Sequence, residues 1–397
     1  MSTTSTTSGH ATASAGMSAP MVALFALCAG VLVANLYYAQ PIIEAIAPAV
    51  GLSVPSASFI VSLTQIGYAI GLFFLVPLAD LLENRRLLMI SGIATAASLV
   101  GAAMSAHPGP FLLVSLLLGL SSVSVQILIP LAAHLTPEAQ RGRTVGTIMG
   151  GLLTGILLAR PLSSVLAQYF GWRAVFLIAA VMTLVTVAII VLALPRRVPD
   201  HRASYFQLIA SLWHLFTRYS VLRQRALYQA LLFAAFSLFW TAVPLELIAH
   251  YGLSQSQIGI FALVGALGAV AAPIAGRLAD AGHTRIASYV AMTLAIVSFL
   301  PGLADGAVGL YALALTGIVL DFAVQMNMVL GQRAIYALDP ASRGRLNALY
   351  MTAIFAGGAF GSAVASALYA RAGWHGIVAT GGGLALLCLL ALVSRRN

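Results

Sequence analysis

Four ionisable side chains interrupt or border long apolar runs in this chain, and each is a place where chemistry could be done. Arg160 lies in Gly155-Ile156-Leu157-Leu158-Ala159-Arg160-Pro161, and Asp321 in Leu320-Asp321-Phe322-Ala323-Val324-Gln325-Met326-Asn327. Glu44 and Glu246 sit near the ends of two other apolar runs. A charge at the middle of an apolar helix costs about 2.5–3.5 kcal/mol on insertion scales, so such groups face a wet cavity, pair with one another, or snorkel to an interface. Arg keeps its proton at any working pH, so Arg160 requires an anion, a cluster of carbonyls or water. A carboxylate can take up a proton instead, which makes Asp321, Glu44 and Glu246 candidate proton carriers. A purely structural ion pair is the alternative for Arg160, and snorkelling is the alternative for the two glutamates.

No other pattern builds a reactive centre. The chain has no phosphate-binding loop, no His-x-x-x-His, no Cys-x-x-Cys and no nucleophile–base constellation. The expectation is a protein that is not an enzyme, with no cofactor and no metal. Cys28 and Cys388 lie inside apolar runs and read as packing. Met326 and Met328 stand two residues apart, on different faces of a helix, and read as packing rather than a copper site.

The elements that carry these residues follow from composition. Mean hydropathy is +0.98 and only 8% of the 397 residues are charged, against about 25% in soluble domains. Spans of about 20 apolar residues are needed to cross a bilayer. The pattern predicts an all-α membrane protein with twelve spans, at 18–42, 55–79, 87–106, 109–135, 144–168 and 173–194, then 226–250, 256–279, 286–303, 307–335, 346–370 and 375–394. Residues 1–17 are small and polar and predict a disordered tail. Residues 195–225 read as a linker carrying an amphipathic helix over 205–216. It joins an N-terminal bundle, 18–194, to a C-terminal bundle, 226–397. The net charge of +10 is carried by Arg alone, without a single Lys. Because these residues sit in short loops, they predict a lipid bilayer as partner and no nucleic acid. Arg85, Arg86, Arg141, Arg143, Arg343 and Arg345 fall on one side and only Arg173 and Arg371 on the other, which predicts cytoplasmic termini.

The two bundles repeat one another. Leu78-Ala79-Asp80 is followed by Arg85, and Leu278-Ala279-Asp280 by Arg285, an offset of 280 − 80 = 200. Arg141-Gly142-Arg143 matches Arg343-Gly344-Arg345, and Gly171-Trp172 matches Gly373-Trp374, each at an offset of 202. Parallel repeats of six spans are expected.

The two hairpins resemble the loop 2–3 signature of the major facilitator superfamily, roughly G-x-L-a-D-r-x-G-r-r. The second copy keeps Gly276, Leu278, Asp280 and Arg285, whereas the first has Val76, Leu81 and Glu83 at the leading Gly, first basic and inner Gly positions. The resemblance implies a monomeric transporter of the bacterial inner membrane that works by alternating access. It also implies a conformational latch. Asp80 would face the N-terminus of span 11 and Asp280 that of span 5, with Arg85, Arg86 and Arg285 beside them, shutting the cytoplasmic side. It implies a cavity lined by spans 1, 4, 7 and 10, through Asn35, Tyr37, Tyr38 and Gln40, through Gln126, through Phe236 and Trp240, and through Gln325 and Asn327. Gln65 and Tyr350 could join from spans 2 and 11. Gly151-x-x-x-Gly155 is similar to part of a span 5 motif of the drug/proton antiporter branch, with Ile156 where that motif has Pro. Ala34-Asn35-Leu36-Tyr37-Tyr38-Ala39-Gln40-Pro41 resembles sugar-efflux and multidrug-efflux members. The implied function is proton-coupled export of a small organic molecule. Uptake or facilitated diffusion, or a non-transporting sensor or scaffold, are the alternatives.

Overall fold

A computed structural model describes residues 17–194, 196, 204–304 and 306–394. The expected tail at 1–17 and the first part of the linker therefore lie almost wholly outside the described residues. Every regular element among the described residues is a helix. This is what an apolar surrounding demands, since a helix satisfies its backbone hydrogen bonds within one segment.

Ten helices are long and apolar enough to cross a membrane. One of them, Arg343–Val393, is two helices joined across Gly373, whose φ is 60°. Ala19–Ala34 is a shorter apolar helix. Counted over the described residues this gives 10 + 1 + 1 = 12 spans. Span 1 is Ala19–Ala34, extended after a turn by a 3₁₀ segment, Gln40–Ile42, and the helix Ile43–Ala49. Span 2 is Phe59–Phe74, span 3 Asn84–Met104, span 5 Glu138–Phe170 and span 6 Trp172–Ala193. Span 4 is broken into Pro108–Ser121 and Ser124–His134. Span 7 is Ser220–Ala249, span 9 Thr284–Val297 and span 10 Gly309–Tyr336. Span 8 runs from Gln255 to Asp280, with a 3₁₀ stretch, Leu263–Val270, at its middle. Spans 11 and 12 are residues 343–372 and 374–393.

The repeat seen in the sequence recurs in the backbone. Gly171 (φ 81°) and Gly373 (φ 60°) turn the chain into spans 6 and 12 with a left-handed residue that favours glycine. Each is followed by a buried Trp, Trp172 or Trp374. Glycines also set the closest crossings. A Cβ on Gly151 would lie 2.1 Å from the Ala26 carbonyl oxygen, and one on Gly155 would lie 2.2 Å from that of Gly30, so spans 1 and 5 touch backbone to backbone. Spans 7 and 11 repeat this through Gly357 and Gly361 against Ala230 and Ala234.

The halves meet through span 2 against span 11 and span 5 against span 8, which the repeat makes equivalent. Ser62 Oγ donates to Ala359 O (2.8 Å) and Ser58 Oγ to Ala363 O (3.3 Å). Ser256 N donates to Gln168 Oε1 (2.7 Å), and Gln255 Nε2 to Ser164 Oγ (3.3 Å). All four contacts lie on the face opposite the arginine-rich loops. On the arginine-rich face a helix, Tyr205–Arg218, is started by a reciprocal cap between Ser204 and Gln207. It buries Leu208, Leu212 and Leu215 and exposes Phe206 and Trp213. Tyr205 donates to Phe74 O at the end of span 2, and Arg345 at the start of span 11 donates to Ser211. Span 7 starts at Ser220, earlier than the expected 226, so Arg223 and Arg225 belong to the span and not the linker.

Candidate functional site

A cavity of about 750 Å³ lies between the halves, within the ~300–1,000 Å³ usual for small-molecule sites. It runs from Arg160 and Asp321 at its closed end to Asp80, Asn84, Arg343 and Arg345 at its mouth. The mouth is on the arginine-rich face. The opposite face is closed by the contacts between halves described above.

The closed end is built from spans 1, 5, 7, 8 and 10. Span 1 unwinds after Ala34, which brings Tyr37 and Gln40 toward span 5. Arg160 Nε donates to Gln40 Oε1 (3.0 Å), and Gln40 Nε2 donates to Thr241 Oγ1 (3.3 Å). The guanidinium lies over Trp240 (4.8 Å to the ring centroid), Tyr37 (5.3 Å) and Phe236 (5.8 Å). Such stacking suits a planar cation out of water. Arg160 is 5% exposed, and its Nη2 has no hydrogen-bond partner. Among the described residues no carboxylate forms an ion pair with it.

Asp321 is held beside this group. Trp240 Nε1 donates to Asp321 Oδ1 (2.7 Å), so one indole offers its face to the cation and its N–H to the acid. Behind Asp321 stand Gly265 and Gly268 of the 3₁₀ stretch. A Cβ on Gly265 would fall 2.4 Å from Asp321 Oδ2, and one on Gly268 2.4 Å from Asp321 Cβ. An interrupted helix beside a buried acid is the kind of mid-membrane arrangement that carries ions and substrates in transporters.

Several expected residues stand elsewhere. Gln126 and Gln325 line the cavity, and Gln126 donates to Tyr68 OH (3.1 Å). Asn35, Tyr38, Gln65, Asn327 and Tyr350 do not. Asn35 donates to Thr183 of span 6 (3.0 Å), Asn327 to Gln229 of span 7 (2.7 Å) and Gln65 to Ser237 (3.0 Å). Tyr350 donates to Met328 O (3.3 Å), and Tyr38 is packed in the core. In apolar surroundings a buried donor without a partner is costly, and the amide N–H groups of Asn35, Asn327 and Gln65 find theirs on neighbouring helices. Trp240 faces Arg160 and Asp321 rather than the open cavity. Glu44 is exposed, and Glu246 accepts from Tyr369 OH (2.7 Å) and lies 3.1 Å from His250 Nδ1, near the closed face. Neither glutamate reaches Arg160.

The hairpins are arranged as an open mouth requires. Asp80 and the Arg343-Gly344-Arg345 segment line the rim. Asp280 forms an ion pair with Arg333 of span 10; the expected contact with span 5 belongs to a shut mouth. Arg85 is half-buried, and Arg86 and Arg285 are exposed. Arg333 and Tyr68 were not among the sequence candidates. Tyr68 follows Gln65 by three residues, one helical turn on the same face, and that spacing is the signal that could have found it.

Two repeated six-span halves around a cavity open at one face define a secondary transporter. The chain belongs to the Major Facilitator Superfamily, whose profile matches residues 23–236 and 225–397, a family that is not enzymatic. It is 40% identical over 379 residues to the uncharacterized transporter YgaY of Escherichia coli O157:H7, covering 94% of this chain and 95% of the relative. Its fold is similar to the crystal structure of nucleoside transporter NupG (TM-score 0.69, 16% identity, 94% of this chain and 98% of that one). It is also similar to that of a D-xylose-proton symporter (TM-score 0.68, 17% identity, 94% and 96%).

Proposed function

We propose that the protein carries a small organic molecule across the bacterial inner membrane together with a proton, by alternating access, with both termini in the cytoplasm. The observation that carries this reading is Asp321, buried at the closed end of the cavity and linked through Trp240 to an Arg160 that has no carboxylate in ion-pair contact among the described residues. With Asp321 ionised, the two charges balance across the indole. With Asp321 protonated, the site holds one uncompensated positive charge. A ligand that gains from that charge and the proton therefore bind cooperatively, and linkage makes the coupling reciprocal. An inward proton gradient then favours uptake. Export, which the resemblance to efflux members implies, is the second reading. The observation favouring it is the close crossing of spans 1 and 5 at Gly151 and Gly155, the part of span 5 where the antiporter branch carries its motif.

One assay separates the two. Lightly buffered, de-energised cells producing the protein receive a panel of small organic compounds from outside. Cotransport with a proton makes the medium more alkaline, and exchange for a proton makes it more acidic. We expect alkalinisation with at least one compound, absent in Asp321→Asn and in cells without the protein. A signal that survives Asp321→Asn sinks the coupling role of this acid.

A further inference from the structure

We infer that the closed end of the cavity is a binding site for the anionic head of an apolar organic monoanion, a carboxylate on a flat hydrophobic body. This rests on the transport reading above but names the substrate class.

The guanidinium of Arg160 has a used edge and an unused one. Its Nε is taken by Gln40, its faces by Trp240, Tyr37 and Phe236, and its Nη2 by nothing. The group is buried, lies on the cavity wall and cannot shed its proton. A planar fork with free N–H groups is matched by a carboxylate, which it can hold by charge-assisted bonds. The site's net charge limits the ligand to one negative charge. Arg160 contributes +1, Asp321 contributes 0 or −1, and among the described residues no second cation lines the closed end. The walls beyond the head group decide its body. Phe233, Phe236, Phe355, Met149, Met328 and Met351 face the cavity, and such surfaces reward flat apolar groups over sugars or free amino groups. Tyr68 and Gln126 leave one polar position along the way.

The test is binding by the purified full-length protein in detergent, read by tryptophan fluorescence and calorimetry. The probes are benzoate and 2-naphthoate, with 2-naphthamide and 2-naphthylmethylamine as neutral and cationic matches. Wild type should bind at least one of the two carboxylates saturably and neither match. Arg160→Lys keeps the charge and loses the fork, and should weaken binding by about 10- to 100-fold. Gln40→Glu is the decisive variant. It keeps the oxygen that faces Arg160 Nε and adds a resident negative charge, so the protein should melt at or above the wild-type temperature while carboxylate binding falls at least tenfold. Gln40→Glu that is folded and binds as well as wild type overturns the proposal, as does a wild type that binds neither carboxylate. The two readings fail separately. Naphthoate binding without any change in medium pH removes proton coupling and leaves the anion site. Alkalinisation driven by the amide, with no carboxylate binding, removes the anion site and leaves the coupling.

Discussion

Adding one methyl group at Gly155 should loosen the protein and the site together. The Cβ of Gly155→Ala would fall 2.2 Å from the Gly30 carbonyl oxygen, and ordinary contact begins at 3.4 Å. Span 5 must therefore back away from span 1 by 3.4 − 2.2 = 1.2 Å, because the obstacle is backbone and cannot rotate aside. Overpacking of this kind costs about 1–3 kcal/mol. Arg160 lies five residues further along the same helix, about 7.5 Å up its axis. A rigid retreat takes its 3.0 Å bond to Gln40 to 3.0 + 1.2 = 4.2 Å, beyond hydrogen-bond reach. Losing a hydrogen bond to a charged group costs about another 1.5–3 kcal/mol. Gly150 is the internal control. It is exposed, a Cβ there meets nothing within 4 Å, and Ala improves helix propensity by up to about 1 kcal/mol. Cys28 and Cys388 are both buried, so a thiol-reactive dye reports unfolding without any engineered label. The expected order of melting temperatures is Gly150→Ala at or above wild type, and Gly155→Ala clearly below it. Gly155→Ala melting with wild type would refute the claim that this crossing is closed to a methyl group.

Two other predictions concern orientation and the latch. In a variant without Cys28 and Cys388, single cysteines replacing Ser204 and His107 should react with an impermeant maleimide from opposite sides of the membrane; labelling of both from outside the cell would falsify cytoplasmic termini. Asp280 and Arg333 are an exposed pair worth about 0–1 kcal/mol, so Asp280→Asn should barely move the melting temperature. If Asp80 and Asp280 cap spans 11 and 5 when the mouth shuts, Asp80→Asn should favour the open mouth by roughly 0.3–2 kcal/mol, and Asp280→Asn by less, because it also gives up the open-mouth pair with Arg333. Faster labelling of Met149→Cys in inside-out vesicles reads this shift, and unchanged rates in both variants count against the latch.

What the sequence made legible was whatever depends on one segment at a time. Long apolar runs marked the spans, and the Gly-Trp and Leu-Ala-Asp repeats marked two like halves. Arg160 stood out because a charge among leucines is conspicuous without knowing its neighbours. Its surroundings were not legible, because Gln40, Tyr37 and Trp240 reach it from spans that only the fold brings together. Facing was the commonest error. Asn35 and Asn327 each stand among apolar neighbours in sequence, so hydropathy could not say that they point at span 6 and span 7 rather than inward. The break in span 8 was not read from the sequence. Gly265 and Gly268 stand in its apolar run, but propensity alone cannot distinguish a 3₁₀ stretch from a helix with two glycines. The partner of Asp280 was missed because the resemblance describes a shut mouth, and this conformation has an open one.

The 3₁₀ stretch in span 8 has a consequence in length. A 3₁₀ helix rises about 2.0 Å per residue and an α-helix about 1.5 Å. The eight residues Leu263–Val270 thus make span 8 about 4 Å longer than an unbroken α-helix of the same sequence. Rewinding them would draw its two ends together by most of one helical turn, and those ends carry the closing contacts of one face at Gln255 and Ser256 and the hairpin acid Asp280 at the other. Asp321 rests against Gly265 and Gly268 within that stretch. The acid proposed to hold the proton leans on the one part of the span whose length has room to change.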